Sequence, residues 1–172
     1  MKLVCHVTPS AMIADDLTGH IVLVGGAAES DMIVRLSEMI RLPVRRVGDY
    51  KTSTAGFFIA DLGSKESHFR PKFAGGDSEL LVEDVGFLAR VPNPLNASKT
   101  LTLCSGAYSH GAHGAARSLT DAELRSSNER YISSTFGNGE SFAILMSVYV
   151  VNNRVLTPDF NSEGVVLYQW RP

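Results

Sequence analysis

Two stretches constrain the fold of this chain more than any others, because each runs from a short apolar β-like segment through glycines into a helical pattern. The first is IVLVGGAAESDMIVRLSEMIR, residues 21 to 41. IVLV has the composition of a strand buried on both faces and stops at Gly25 and Gly26. Met32, Ile33, Leu36, Met39 and Ile40 then recur on one helical face, with Glu29 and Asp31 in the first turn, Arg41 in the last and Pro43 closing the helix. The second is LTLCSGAYSHGAHGAARSL, residues 101 to 119. Alternation puts Leu101 and Leu103 on one strand face and Thr100, Thr102 and Cys104 on the other, ahead of a glycine loop and an alanine-rich helix.

The rest of the chain supplies further β signals. KLVCHV at residues 2 to 7 reads as a strand. Between residues 44 and 91, VRRV, AGFFIADL, SHFRPKF and ELLVEDVGFLARV are β-like runs separated by turn chemistry, which suits antiparallel strands or a hairpin excursion. PNPLNAS, residues 92 to 98, is expected to stop the strand before it. Thr120-Asp121-Ala122-Glu123 reads as a capping box for a second helix, and SFAILMSVYVV turns at Asn152-Asn153 into the last strands. At 172 residues with 44% hydrophobic side chains, the chain can bury one substantial core. The expected architecture is a single α/β domain over residues 1–172, three-layered and Rossmann-like, with a mixed, partly parallel central sheet and antiparallel additions.

Charge narrows the function classes. The formal net charge of −2 comes from 16 basic and 18 acidic residues mixed along the chain, which argues against a dedicated nucleic-acid surface. Arg41, Arg45 and Arg46 form the only dense basic group and read as a solvated helix end and strand edge. Cys5 and Cys104 fall in apolar strand-like runs, as buried free thiols do, so a reducing, cytoplasmic setting is expected. No apolar run approaches the roughly 18 residues of a membrane span, and no membrane association is expected.

In an open α/β sheet, turns at the carboxyl ends of parallel strands gather at one crevice. The residues expected to bind ligand there are Gly25, Gly26, Ser105, Gly106, Tyr108, Ser109, His110, Gly111 and Gly114, with Asn93 closing one side. Backbone amides at a glycine turn and helix start, joined by hydroxyls and imidazoles, suit an anion. Neither turn completes a dinucleotide fingerprint, and the second lacks the P-loop lysine. The competing interpretation is that the glycines only permit tight turns.

His110 and His113 are the catalytic candidates, with Glu29, Asp31, Glu83 or Asp84 as acids. Ser109 and His110 are sequence neighbours, a poor geometry for a nucleophile and its base. His110 and His113 lack a second pair of ligands, so no metal is expected. His6, His20 and His68 are scattered, and Tyr168 and Trp170 suit packing.

DDLTGHIVLVGG, FLARVPNPLN and TLCSGAYSHGAHGAARSLTD together resemble a poorly characterised Rossmann-like α/β domain of actinobacterial and archaeal proteins, often fused to helix-turn-helix modules. That pattern joins a strand ending in Gly-Gly-Pro, a P-N-P-F-N turn and a G-x-x-G-x-G-A-A loop. The chain keeps Gly25-Gly26, Pro92-Asn93-Pro94 with Asn96, and Gly106 through Ala116, over roughly residues 15 to 122. It departs at Ala27, where the pattern has proline, and at Glu29-Ser30, where an asparagine is expected. The resemblance implies a Rossmann-like fold and a detached sensory module, and brings no established activity.

The leading expectation is therefore a sensor-like domain for a small anionic molecule, a nucleotide or nucleotide derivative, with no cofactor identified. The alternatives are an enzyme cleaving an N-glycosidic or phosphoester bond of a nucleotide-like substrate, and an assembly protein without a small ligand. A second copy of the chain or another protein is a further candidate partner.

Overall fold

The computed structural model describes residues 14–25, 35–36, 38–40, 42–48, 54–59, 67–75, 80–137 and 141–172. In chain order the elements are α1 (Ala14–Leu17), β1 (Ile21–Val24), β2 (Val44–Val47), β3 (Gly56–Ile59), β4 (Ser67–Phe69), β5 (Lys72–Phe73), β6 (Leu81–Asn93) and β7 (Asn96–Gly106). They continue with α2 (Ser109–Thr120), α3 (Arg125–Phe136), β8 (Phe142–Val151), β9 (Arg154–Val155) and β10 (Val166–Trp170). No helix among the described residues is long and apolar enough to cross a membrane.

The molecule is an α/β protein built on a mixed sheet. Its strand order is β1-β7-β6-β8-β10, with β5 added to β6 and β9 to β8, while β2, β3 and β4 form a separate antiparallel sheet. Among the described residues only β1 and β7 run parallel, from Ile21 opposite Leu101 to Val24 opposite Cys104. The remaining pairings are antiparallel.

Alternation along the long strands sorts the core onto two faces. Val85, Phe87, Ala89 and Val91 of β6, Leu101 and Leu103 of β7, and Ala143 and Leu145 of β8 pack with Leu36, Val44, Phe57 and Ile59, so the small sheet covers this face. Leu88, Cys104, Ile144, Met146 and Val148 point the other way, against Ala115 of α2 and Ile132 and Phe136 of α3. The predicted split of Leu101 and Leu103 from Cys104 is the one observed.

Several expectations are corrected by this arrangement. PNPLNAS does not end the β structure: Pro94-Leu95 is a tight turn that joins β6 to β7, with Asn93 opposite Asn96. Pro92 is tolerated in the strand because β8 stops at Phe142, opposite Arg90, and among the described residues no ladder continues on that side for the missing N–H to interrupt. The second helix does not start in a capping box at Thr120: it begins at Arg125 with Leu124 in the cap position, and Asp121 holds the turn that precedes it. The Asp121 carboxylate accepts the N–H groups of Glu123 and Leu124, while the Thr120 hydroxyl bonds back to the Ala116 carbonyl. Arg35, Leu36, Glu38 and Met39 are helical, as the periodicity predicts, and Leu36 is buried, but Met39 is exposed. Asn152 and Asn153 adopt φ of 50° and 60°, the left-handed geometry expected of a hairpin turn there. KLVCHV with Cys5 and His6, Gly26, Glu29, Asp31, Met32, Ile33 and Arg41 lie outside the described residues.

Candidate functional site

β1 and β7 end side by side, because the Gly25 N–H continues the ladder to the Cys104 carbonyl at 2.9 Å. Gly25 has φ 145°, a conformation that side chains disfavour. The Ser105 to Gly114 stretch starts from the neighbouring strand end, so the two glycine turns do share one edge of the sheet.

The amides at the start of α2 already hold an anion, and it is the protein's own. Asp84 on β6 is fully buried, and its carboxylate accepts the N–H of Gly111 at 2.5 Å, of Val85 at 2.8 Å and of Tyr108 at 3.2 Å. Tyr108, the residue in the cap position, offers no side-chain bond of its own. Asp84 thus caps the helix from an adjacent strand, where a negative charge also meets the helix dipole. Burial pushes its carboxyl above the ordinary carboxylate range, against the pull of those N–H groups and of His110.

The glycines of the loop serve close packing. A Cβ on Gly106 would run into the backbone of Tyr108 and Ala112, one on Gly111 into the Val85 carbonyl, and one on Gly114 would come within 2.5 Å of Val148 Cγ1. With no side chains in the way, α2 lies directly on β6 and β8. A helix N-terminal cradle for an external anion at Gly106, Gly111 and Gly114 is therefore not the arrangement found.

The free polar groups are on the opposite face of the same edge. Alternation puts Ser105 on the face of Leu103, towards the small sheet, and Tyr108 packs against the core there. Arg46 of β2 reaches across and donates Nη2 to the Ala107 carbonyl at 2.9 Å. Its Nε is buried without a partner, and so are the Tyr108 hydroxyl and the Ser147 Oγ. Ser147 shares this face because it opposes Val85, whose carbonyl accepts the Ala107 N–H. Three orphaned polar atoms therefore lie on this face, one of them the Nε of the Arg46 guanidinium and the other two hydroxyls. Phe73 stands edge-on to Tyr108 with ring centroids 6.0 Å apart, and at 37% exposure it leaves part of its ring open.

No known protein family, curated protein or solved structure matches the chain.

The other candidates are dispersed. Asn93 is fully buried at the far end of the β6–β7 hairpin from Gly106. Its amide donates to the carbonyls of Leu17 and Gly19, and its oxygen accepts the Leu95 N–H, so it pins α1 to the hairpin turn and closes no site at the Gly106 edge. His110 is on the helix side, with Nε2 3.0 Å from Asn153 Oδ1. Ser109 and His113 are exposed. Glu83 pairs with Lys72 at 2.9 Å. No three His, Cys, Asp or Glu side chains come together as a metal set among the described residues.

Arg46 is the candidate site residue that the sequence pattern missed. VRRV signals a strand edge, and nothing local shows that one of its two arginines turns inward to a carbonyl 61 residues away.

Proposed function

We propose that this chain is a sensor-like binding domain for a small anionic molecule, a nucleotide or nucleotide derivative, held at the corner formed by Arg46, Tyr108 and Ser147. One observation carries the proposal. Three buried polar atoms without partners, Arg46 Nε, the Tyr108 hydroxyl and Ser147 Oγ, belong to the sheet face that the small sheet covers. An orphaned buried donor costs about 1–3 kcal/mol, and a bound oxyanion would relieve that cost at all three. The Arg46 guanidinium supplies charge, the two hydroxyls supply orientation, and Gly25 and Ser105 form the rim. The part-exposed ring of Phe73 offers a surface for a base.

This reading takes the domain as a Rossmann-like, three-layer variant related to the actinobacterial and archaeal family that it resembles, working in the cytoplasm. Its support is the pair of strand-to-glycine turns ending together. The cleavage reading has less support, because Asp84, the carboxylate that His110 acts on electrostatically, has its oxygens taken by backbone amides.

The test is a thermal-shift screen against nucleotides, dinucleotides, sugar phosphates and simple anions, run on the wild type, Arg46→Gln and Tyr108→Phe. A ligand at 100 times its Kd stabilises the native state by about 2.7 kcal/mol, a readable shift. The proposal expects a hit that Arg46→Gln abolishes and Tyr108→Phe weakens. A screen without hits, or a hit indifferent to both substitutions, overturns it.

A further inference from the structure

A second basic site lies at the opposite end of the sheet. A groove of about 950 Å³ opens between α3 and the start of β8, lined by Arg90, Leu119, Glu129, Arg130, Ile132 and Phe142 among others. That volume falls within the range of small-molecule sites.

Arg90 is the group to explain. It is half-buried on β6, and its guanidinium lies over the Phe142 ring, 5.8 Å from the centroid. Phe142 is itself held by stacking on Phe136 with centroids 5.1 Å apart, so the platform is fixed. Its hydrogen bond to the Thr102 hydroxyl is a long one, from Nε at 3.5 Å, and no carboxylate among the described residues pairs with it. A half-buried guanidinium loses hydration, and without a counter-ion that loss is uncompensated. Arg90 is not needed for the α2 dipole either, since Arg117 stands in the last turn of that helix.

The second cation is Arg130. It is exposed on α3, and among the described residues its guanidinium is tied through Nε to the Ser126 carbonyl at 3.2 Å, with both Nη groups left to turn into the groove. Glu129 is exposed beside it, so among the described residues the groove carries two cations against one anion. Leu119, Ile132 and Phe142 supply apolar surface next to these charges.

We propose that the groove binds a small organic oxyanion, an apolar or aromatic body bearing a carboxylate or phosphate. Arg90 receives the oxyanion in its planar fork, Arg130 closes over it, and the body of the ligand rests on Ile132 and Phe142. The site is independent of the Arg46 corner, because it sits towards the other end of β6.

The experiment titrates the full chain with benzoate and with phenyl phosphate, with inorganic phosphate as the reference, following backbone amide resonances of residues 126–137 and 142. Saturable shifts there, stronger for the phenyl compounds than for inorganic phosphate, are expected. Arg90→Gln should weaken binding about tenfold and Arg130→Gln several-fold, while Arg46→Gln leaves it unchanged. If Arg90→Gln fails to fold, exposed Arg130 decides the question through Arg130→Gln. Absence of saturable shifts, or affinity untouched by the Arg130 and Arg90 substitutions, overturns the proposal.

Discussion

The Asp84 carboxylate accepts the backbone N–H of Gly111, 27 residues away in the chain, and so binds the first turn of α2 to the middle of the sheet. Replacing it with asparagine keeps the shape but turns an NH₂ group towards backbone donors, leaving at least one buried N–H unmet. Asp84→Asn is expected to lower stability by about 1–3 kcal/mol in urea unfolding. The pH dependence has a definite sign. Burial raises the folded pKa, so the wild type loses stability as pH climbs from the unfolded value of about 3.9 through the raised folded value, and is level above it. The variant should lack that component, and an identical profile in the two proteins would show that Asp84 is not the titrating group.

Gly114 and Val148 form a close helix-to-sheet contact in which an added Cβ would sit 2.5 Å from Val148 Cγ1. Gly114→Ala should cost about 1–3 kcal/mol by overpacking. Combined with Val148→Ala, the same substitution should cost clearly less than the sum of the two singles, a coupling that a double-mutant cycle reads directly. Additive costs would mean that the helix shifts as a whole to relieve the clash.

Asn128 on α3 is fully buried, donates to the carbonyls of Ser118 and Pro158, and accepts the Phe160 N–H, each at 2.9 Å. One side chain thus ties both helices to the segment before β10. Asn128→Asp should destabilise more than Asn128→Ala, because the carboxylate cannot donate and its charge would face two carbonyl oxygens. Equal thermal stabilities for the two variants would contradict the assigned orientation of the amide.

The acid limb of stability should depend on Asp121. The Arg117 guanidinium, then the Thr157 hydroxyl and the N–H groups of Glu123 and Leu124, hold its carboxyl well below the ordinary carboxylate range. A depressed folded pKa adds stability that is complete above the unfolded value and disappears as pH falls towards the folded one. Between about pH 4 and pH 2 the wild type should lose more stability than Asp121→Asn. Parallel curves over that interval would remove Asp121 from the account.

Burial pushes the Cys104 thiol up to about 12, so almost none is thiolate at neutral pH. In a Cys5→Ser background, Cys104 should react with a disulfide reagent only as fast as the protein opens, and at once in denaturant. Rapid reaction of the native protein would contradict the burial of the β7 core face.

Much of the fold was legible because it depends on local patterns. IVLV, the alternation through Leu101 and Leu103, and the Asn152-Asn153 turn each form the strand or turn that their local chemistry requires, but IVLV is not buried on both faces as expected: β1 ends the strand order and Val22 and Val24 are exposed. The hairpin through Pro92 and Pro94 was misjudged for the same reason. A proline reads locally as a stop, and only the absence, among the described residues, of a neighbouring strand beyond Arg90 makes Pro92 acceptable.

The site was less legible. The run from Ser105 to Gly114 has the composition of an anion cradle, and composition cannot show that a carboxylate from β6 already fills it or that the glycines are there to admit the sheet. Nor does VRRV reveal which arginine turns inward.

By itself the sequence determined that this chain makes a strand, turns through glycine and enters a helix, since period and turn chemistry act over a few residues. Tertiary structure alone decided which groups those glycine turns meet. Asp84 and Gly111, and Arg46 and Ala107, are joined by strand register and sheet packing, and those long-range pairings determine which buried polar atoms are satisfied and which are not.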